Sequence, residues 1–345
     1  MYRGFLVSAD LIKTDPHFVK GCKACHKGNP LAETREAAHQ GLVIKPSENL
    51  ATCGECHPKV AVNFAKSLHY TSMGQKVGVK SRFSEEEFKH FSGKIFEKSC
   101  RSCHASCGDC HVKGAPVSGI SIGLIKQHKF VKKNEAKTCA FCHGGRVYPE
   151  FTGEYNGTAD VHYAKGMSCM DCHKKQQMHG DGVMYHSKQD VKSRPKCIDC
   201  HKTTSAKLSV RVRSVHGIHA DKASCYACHT EGNYRNCYSC HGGHSKAEPG
   251  FILGRNPRNP KQLTTLRVIP TQKDTFELQG VKMSNFDNVP NYWDSPVHSI
   301  KKKTKRTRNC DSCHLDRKDF LKKSDLIKGG AKSNETLIYE IKPIN

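Results

Sequence analysis

The chain contains 20 cysteines, and all of them fall in ten copies of one five-residue pattern, Cys-x-x-Cys-His. The first five copies hold Cys22, Cys25 and His26; Cys53, Cys56 and His57; Cys100, Cys103 and His104; Cys107, Cys110 and His111; and Cys139, Cys142 and His143. The other five hold Cys169, Cys172 and His173; Cys197, Cys200 and His201; Cys225, Cys228 and His229; Cys237, Cys240 and His241; and Cys310, Cys313 and His314. Two thiols followed at once by an imidazole form the attachment sequence of c-type haem. The thiols add across the two porphyrin vinyl groups, and the imidazole becomes the proximal iron ligand. Zinc ribbons pair Cys-x-x-Cys units without requiring a histidine after each pair. A disulfide framework would not confine every cysteine to one pattern. A thioredoxin-like redox motif occurs once per domain, not ten times. Ten covalently bound haem c groups are therefore predicted, with the ten motif histidines as proximal ligands.

This spacing dictates local structure. Residues three and four apart share one face of a helical turn, so both sulfurs and the imidazole reach the same macrocycle. Short helices are predicted at the motifs, with long irregular connections between them. Hydrophobic residues make up only 36% of the 345 residues, and mean hydropathy is −0.64. A protein-only core of normal size is not expected from that composition. One macrocycle for about every 35 residues would supply apolar surface instead. The predicted fold class is multihaem cytochrome c: mostly irregular coil, with short helices at the motifs wrapped round a chain of haems.

Of 22 histidines, twelve lie outside the motifs, and ten six-coordinate irons need ten distal ligands. The predicted distal set is His17, His39, His69, His90, His128, His162, His179, His216, His219 and His298. Two free histidines precede each closely spaced motif pair, at Cys100/Cys107 and at Cys225/Cys237. His186 and His244 are surplus: His179 sits in a better-formed His-Gly-Asp-Gly turn, and His244 is three residues from proximal His241. With histidine so abundant, Met73, Met167, Met170, Met178, Met184 and Met283 are expected to pack against porphyrins rather than ligate iron. The aromatic residues, Trp293 included, are read the same way. Four residues separate His17 from Cys22. An extended chain gains at most about 3.5 Å per residue, too little to pass comfortably round the first porphyrin. His17 is therefore expected to serve another haem, either in its own chain or in a neighbouring subunit of a homopolymer.

Lys and Arg outnumber Asp and Glu by 24. Ten haems with two propionates each, and one positive charge per ferric centre, bring this to about +14 oxidised and about +4 reduced. Nucleic-acid binding is thus not inferred. The run Lys301-Lys302-Lys303-Thr304-Lys305-Arg306-Thr307-Arg308 is read as solvated or propionate-facing, with a partner contact as the alternative. No apolar stretch is long enough to cross a membrane. Haem attachment of this kind follows export, so an extracellular or cell-surface location is expected (periplasmic as the alternative), with a leader already removed.

Motifs starting at Cys139, Cys169, Cys197 and Cys225 recur every 28 to 30 residues, a quasi-repeat. A 68-residue gap separates His241 from Cys310. Three segments are expected: 1–60 with two haems, 61–250 with seven, and 251–345 with one haem and a small β element in 260–345. Strand patterns run over Leu263–Ile269, Phe276–Met283 and Glu335–Ile341. Pro249 through Pro260 reads as a linker.

Several segments carry a resemblance. They are His104-Ala105-Ser106-Cys107-Gly108-Asp109-Cys110-His111-Val112, Asp160-Val161-His162-Tyr163 with Gly166-Met167-Ser168-Cys169, Met178-His179-Gly180-Asp181-Gly182, and Tyr234-Arg235-Asn236-Cys237-Tyr238-Ser239-Cys240-His241. Across roughly residues 20–320 the chain resembles exported multihaem cytochromes of metal-respiring bacteria. Some of these polymerise into extracellular filaments with a continuous haem stack; related proteins include octahaem reductases of nitrogen and sulfur oxyanions. The resemblance implies electron hopping along closely packed bis-histidine haems, as an extracellular filament that meets other redox proteins or extracellular acceptors. A monomeric periplasmic or surface shuttle, or an oxyanion reductase with one open haem, are the alternatives. Catalytic residues are not expected, and the ten regular motifs favour a wire over an enzyme.

Overall fold

The computed structural model describes residues 7–100, 104–117, 120–130, 136–155, 157–234, 250–269 and 271–341, with backbone alone over 113–129 and 136–137. Cys103, the motif from Cys237 to His241, and His244 lie outside the described residues.

Short helices do sit at the described motifs: Cys22–His26, Leu50–Gly54, Cys107–His111, Ala136–His143, Cys169–Cys172, Cys197–Cys200 and Cys225–His229. Cys100 ends a π-helical stretch, Phe91–Cys100, and Cys313 and His314 lie on another, Ser312–Asp316. Three motifs show why a turn forms there. The residue before their second cysteine is aspartate, and its carboxylate accepts the backbone N–H just ahead of the first cysteine. The distances are 2.7 Å for Asp109 and Ser106, 2.6 Å for Asp171 and Ser168, and 2.9 Å for Asp199 and Lys196. Each bond satisfies a donor that a helix start leaves without an intrahelical partner.

By contacts the chain divides into two units, each assembled from separated stretches. The first comprises Met1–Gly74, Arg101–Cys139 and His173–Arg194. It contains an antiparallel hairpin of β1 (Val112–Val117) and β2 (Ile120–Phe130), with Val112 opposite Phe130. Among its described residues the buried hydrophobic side chains are Ala61, Phe64 and Ala105, too few for a protein core.

The second unit comprises Gln75–Cys100, Ala140–Cys172 and Pro195–Asn345. Its sheet orders β3 (Ile252–Asn256), β4 (Asn259–Val268) and β5 (Tyr292–Asp294), all antiparallel. Ile252 faces Leu266, and Leu266 faces Asp294. The pattern at Leu263–Ile269 thus falls on a strand as far as Val268. The expected linker does not exist as such: Asn256 pairs with Asn259 across a two-residue Pro257-Arg258 turn. Asn256 Oδ1 accepts the Arg258 N–H at 3.0 Å, so the Gly, Pro and Asn content is hairpin chemistry.

Two expected strands are not strands. Phe276–Met283 forms a 3-10 turn at Glu277–Gln279 that ends at Gly280, with φ +76°. The Val281 N–H reaches back to Phe276 O at 3.1 Å. The alternation therefore comes from a loop that drops Val281 and Met283 into one cluster. Glu335–Ile341 begins inside a 3-10 helix, Lys332–Leu337. Asn334 of that helix is drawn inward to bond buried Asn291, which overrides the strand pattern.

A protein core does form in this unit, against expectation. Phe83, Phe91, Ile95, Phe96, Val281, Met283, Phe286 and Ala331 make one cluster. Met283 is therefore packed among phenylalanines. A second cluster gathers Tyr234, Leu266, Val268, Tyr292, Leu321 and Leu337; a third gathers Ala227, Leu253, Leu263 and Phe320. Gly254 lies where β3 meets these layers. A Cβ there would come 2.5 Å from Leu266 Cδ1 and 2.9 Å from Leu337 O. Gly254→Ala is expected to cost about 1–3 kcal/mol, measured by denaturant unfolding against wild type.

Candidate haem-ligating sites

Two imidazoles bound through ring nitrogens to opposite sides of one metal, at about 2.0 Å each, have ring centroids about 6 Å apart. Among the described residues five imidazole pairs meet that separation, and each joins a motif histidine to a histidine outside the motifs. His17 and His57 lie 6.4 Å apart, and His111 and His179 5.8 Å. His162 and His201 are at 5.9 Å, His216 and His229 at 6.1 Å, and His219 and His314 at 6.2 Å. His69 and His173 converge on one residue: each turns Nδ1, at 3.3 Å, toward Gln177, to its main-chain O and its side-chain Oε1 respectively.

His17 faces His57, beyond the motif at Cys22 that directly follows it. His162 likewise passes over the motif directly after it and meets His201.

Backbone carbonyls orient several histidine rings. His26 donates Nδ1–H to Val43 O at 3.0 Å, while the Val43 N–H returns a bond to His26 O at 2.7 Å. His229 and Lys301 repeat this exchange at 3.1 and 2.8 Å. On the Val210–His219 helix, His216 and His219 bond Val212 O and Val215 O, both at 2.8 Å. Such outer partners fix which nitrogen is left for a metal. Burial holds His69, His173 and His179 below the ordinary histidine range. Neutral imidazole is the form that ligates.

The basic run takes part in this scaffolding rather than lying wholly in solvent. Arg306, with a side chain 7% exposed, donates to Ala227 O at 2.6 Å and also to Thr230 O. It pairs with Asp319 at 2.8 Å. Buried Thr304 donates to Cys228 O. Arg306 and Thr304 thus cap the carbonyl end of the Cys225–His229 helix, while Lys302, Lys303, Lys305 and Arg308 are exposed.

Motifs distant in sequence meet at their sulfurs. Cys53 donates its thiol hydrogen to Cys107, which pulls Cys107 down to about 7 and pushes Cys53 up. Cys197 does the same to Cys225, pulling it down to about 6. Burial, then the neighbouring Cys228, pushes Cys313 up to about 11; burial, then Cys53, raises Cys25. Motifs at 22, 53 and 107 are thus neighbours in the first unit, and those at 197, 225 and 310 in the second.

The surroundings fit a large planar apolar group. Phe141 and Ile198, each inside a motif, are 63% and 58% exposed, and Val19 and Ile44 in the first unit are 79% and 78% exposed. The helix bearing His216 and His219 also exposes Val210, Val212, Val215 and Ile218. Apolar surface left uncovered beside paired imidazoles is what a macrocycle would cover.

Two other predicted ligands, His39 and His90, are placed without such a pair among the described residues. His39 is exposed and bonds Arg35 O at 2.8 Å, and half-buried His90 ends the Glu85–His90 helix. Neither meets a motif imidazole among the described residues. His298 accepts its place from Glu150, whose Oε2 takes the His298 backbone N–H at 3.0 Å. His128 lies on β2, where only backbone is described. His186 and Met184 are exposed.

Sequence reasoning missed Gln177, which serves two histidines, and two aspartates. Asp15 and Asp160 each stand two residues before a distal histidine and bond its Nδ1, at 2.7 and 2.9 Å. The signal was present as a repeated Asp-x-His-aromatic-x-Lys-Gly, at Asp15–Gly21 and Asp160–Gly166. No family model matches this chain, and neither a curated protein nor a solved structure is similar to it.

Proposed function

We propose that the chain is a decahaem c-type cytochrome that conducts electrons by hopping, outside the cytoplasmic membrane. The observation that carries this reading is the set of five imidazole pairs, each one motif histidine and one free histidine, at a separation that spans a single iron. Haem iron supplies one-electron cycling between ferric and ferrous states. The residues of this chain do the rest. Cysteine pairs tether, paired imidazoles fill both axial positions, and carbonyls lock the ring tautomers. Sulfur contacts between motifs bring consecutive sites together for electron transfer. At the five paired sites histidine holds both axial positions, which leaves substrate no open iron there and suits electron conduction. An extracellular filament of many copies and a monomeric surface or periplasmic shuttle both use this chemistry. Contacts with other redox proteins or extracellular acceptors follow from that role.

Intact mass is the test. The holoprotein is expected to exceed the 38.5 kDa polypeptide by roughly 6 kDa, ten haem masses. A pyridine haemochrome assay should return ten haems per chain. A mass equal to the polypeptide would end the haem reading, and electron microscopy of the secreted fraction separates shuttle from filament.

A further inference from the structure

Where the Nδ1 partner of a ligand imidazole is described above, it is mostly a neutral oxygen. His26, His69, His216, His219 and His229 use backbone carbonyls, and His173 uses the Gln177 amide oxygen. His17 and His162 differ, because each bonds a carboxylate.

The two sites share one architecture. In each, a single carboxylate oxygen accepts both the histidine Nδ1–H and the same histidine's backbone N–H. The backbone distances are 3.0 Å at Asp15 and 2.7 Å at Asp160. A 3-10 turn follows, Phe18–Lys20 or Tyr163–Lys165, and closes on a glycine with φ +72° or +83°. The carboxylate is thus pinned by two donors and cannot swing away from the ring. Asp160 is 1% exposed, and its other oxygen takes the Ile300 N–H at 2.7 Å. Asp15 has a side chain 14% exposed, and the His17 ring is stacked on Phe130 with centroids 4.0 Å apart.

A carboxylate on the outer nitrogen draws the ring proton toward itself and makes the inner nitrogen a stronger donor. Charge-assisted bonds of this kind are roughly twice as strong as neutral ones. A stronger donor stabilises ferric over ferrous iron, and the fixed negative charge favours the more positive oxidation state as well. Both effects lower the reduction potential.

Building on the haem reading, we propose that Asp15 and Asp160 are positioning residues that make the sites at His57 and His201 low-potential centres. Their potentials lie below those of sites whose imidazoles meet only neutral oxygens, such as that of His216 and His229. One such centre stands in each unit. Electrons entering the chain therefore leave these two sites first and collect at the carbonyl-bonded ones.

Redox titration of the intact holoprotein, with Asp15→Asn as the variant, tests this. Asparagine keeps an oxygen for both donors and removes the charge. The difference between variant and wild-type titrations should contain one one-electron component moved upward. The expected size is a tenfold change in its reduction equilibrium, about 59 mV. Asp160→Asn should move a second component, and the double variant both. Asp10→Asn, which removes a charge from the Ala9–Thr14 helix of the same segment, should move none. An unchanged Asp15→Asn titration on a ten-haem protein overturns the proposal, as does an equal shift in Asp10→Asn. Loss of a haem in Asp15→Asn would show a structural role and overturn it too. Failure of the haem reading itself looks different, because wild-type mass would then lack ten haems.

Discussion

Replacing His219 by alanine is expected to convert one low-spin centre in ten into a high-spin, ligand-binding one. His219 sits 6.2 Å from His314, centroid to centroid, at the end of a helix that fixes its ring through Val215 O. Its neighbour His216 faces a different motif histidine, His229, with rings only 10° from parallel. The two ligands are three residues apart on one helix face, yet they point at motifs 85 residues apart. Alanine keeps the helix and removes one ligand. High-spin ferric signal should rise from none to one tenth of total iron, and one equivalent of cyanide should bind. His216→Ala should do the same at the other site, and the double variant should bind two equivalents. A His219→Ala protein with a wholly low-spin spectrum would show that His314 has some other partner.

A loss of about 3–5 kcal/mol is expected from Asn291→Ala, with the haem count unchanged. Asn291 is fully buried and Asn334 is 1% exposed. Asn291 Nδ2 donates to Ile269 O at 2.9 Å and Thr271 O at 2.8 Å. Its Oδ1 accepts the Ala331 N–H at 2.8 Å and Asn334 Nδ2 at 3.1 Å. The backbone N–H of Asn291 completes the ring of bonds through Asn334 Oδ1 at 2.6 Å. All four side-chain capacities are used. Alanine would leave the Thr271 carbonyl, the Ala331 N–H and the Asn334 side-chain amide without this partner in a dry site, and the Ile269 carbonyl with only the Thr271 N–H. Asn291→Asp offers the same shape but lacks the donors, so it should be at least as damaging. Hydrogen exchange at Ala331 and Ile269 reads the change directly. Protection should fall by at least a hundredfold at both amides; an unchanged rate would mean the network adds nothing to stability.

The parts of this molecule that were legible in its sequence are those where one residue pattern acts alone. Cys-x-x-Cys-His specifies a turn by its own spacing, and Asp109, Asp171 and Asp199 close that turn from inside the motif. The alternation from Leu263 to Val268 is long enough to mark a strand. β5 is only three residues, Tyr292–Asp294, too short for a period. Phe276–Met283 shows the reverse error, where a loop imitates alternation because Gly280 turns the chain between apolar residues. The phenylalanines at 83, 91, 96 and 286 were read as cofactor packing, since a low mean hydropathy conceals a core confined to one unit. Beyond the short link that steers His17 away from the motif at Cys22, the pairing of histidines was not legible. His17, His162 and His179 each pass over the nearest motif, and only tertiary structure decides which ring a ring meets.

In the proposed ten-haem protein, this pairing sets a timetable. A chain that emerges from its N-terminus presents His17 before His57, His162 before His201, His216 before His229 and His219 before His314. At each of those positions the second imidazole is already waiting when the cysteines arrive. His111 is the exception, because His179 follows it by 68 residues. Until His179 arrives the site at His111 is, among the five described pairs, the one open to a wrong ligand, so errors in maturation should gather there and be sealed only when the Lys175–His179 turn reaches it.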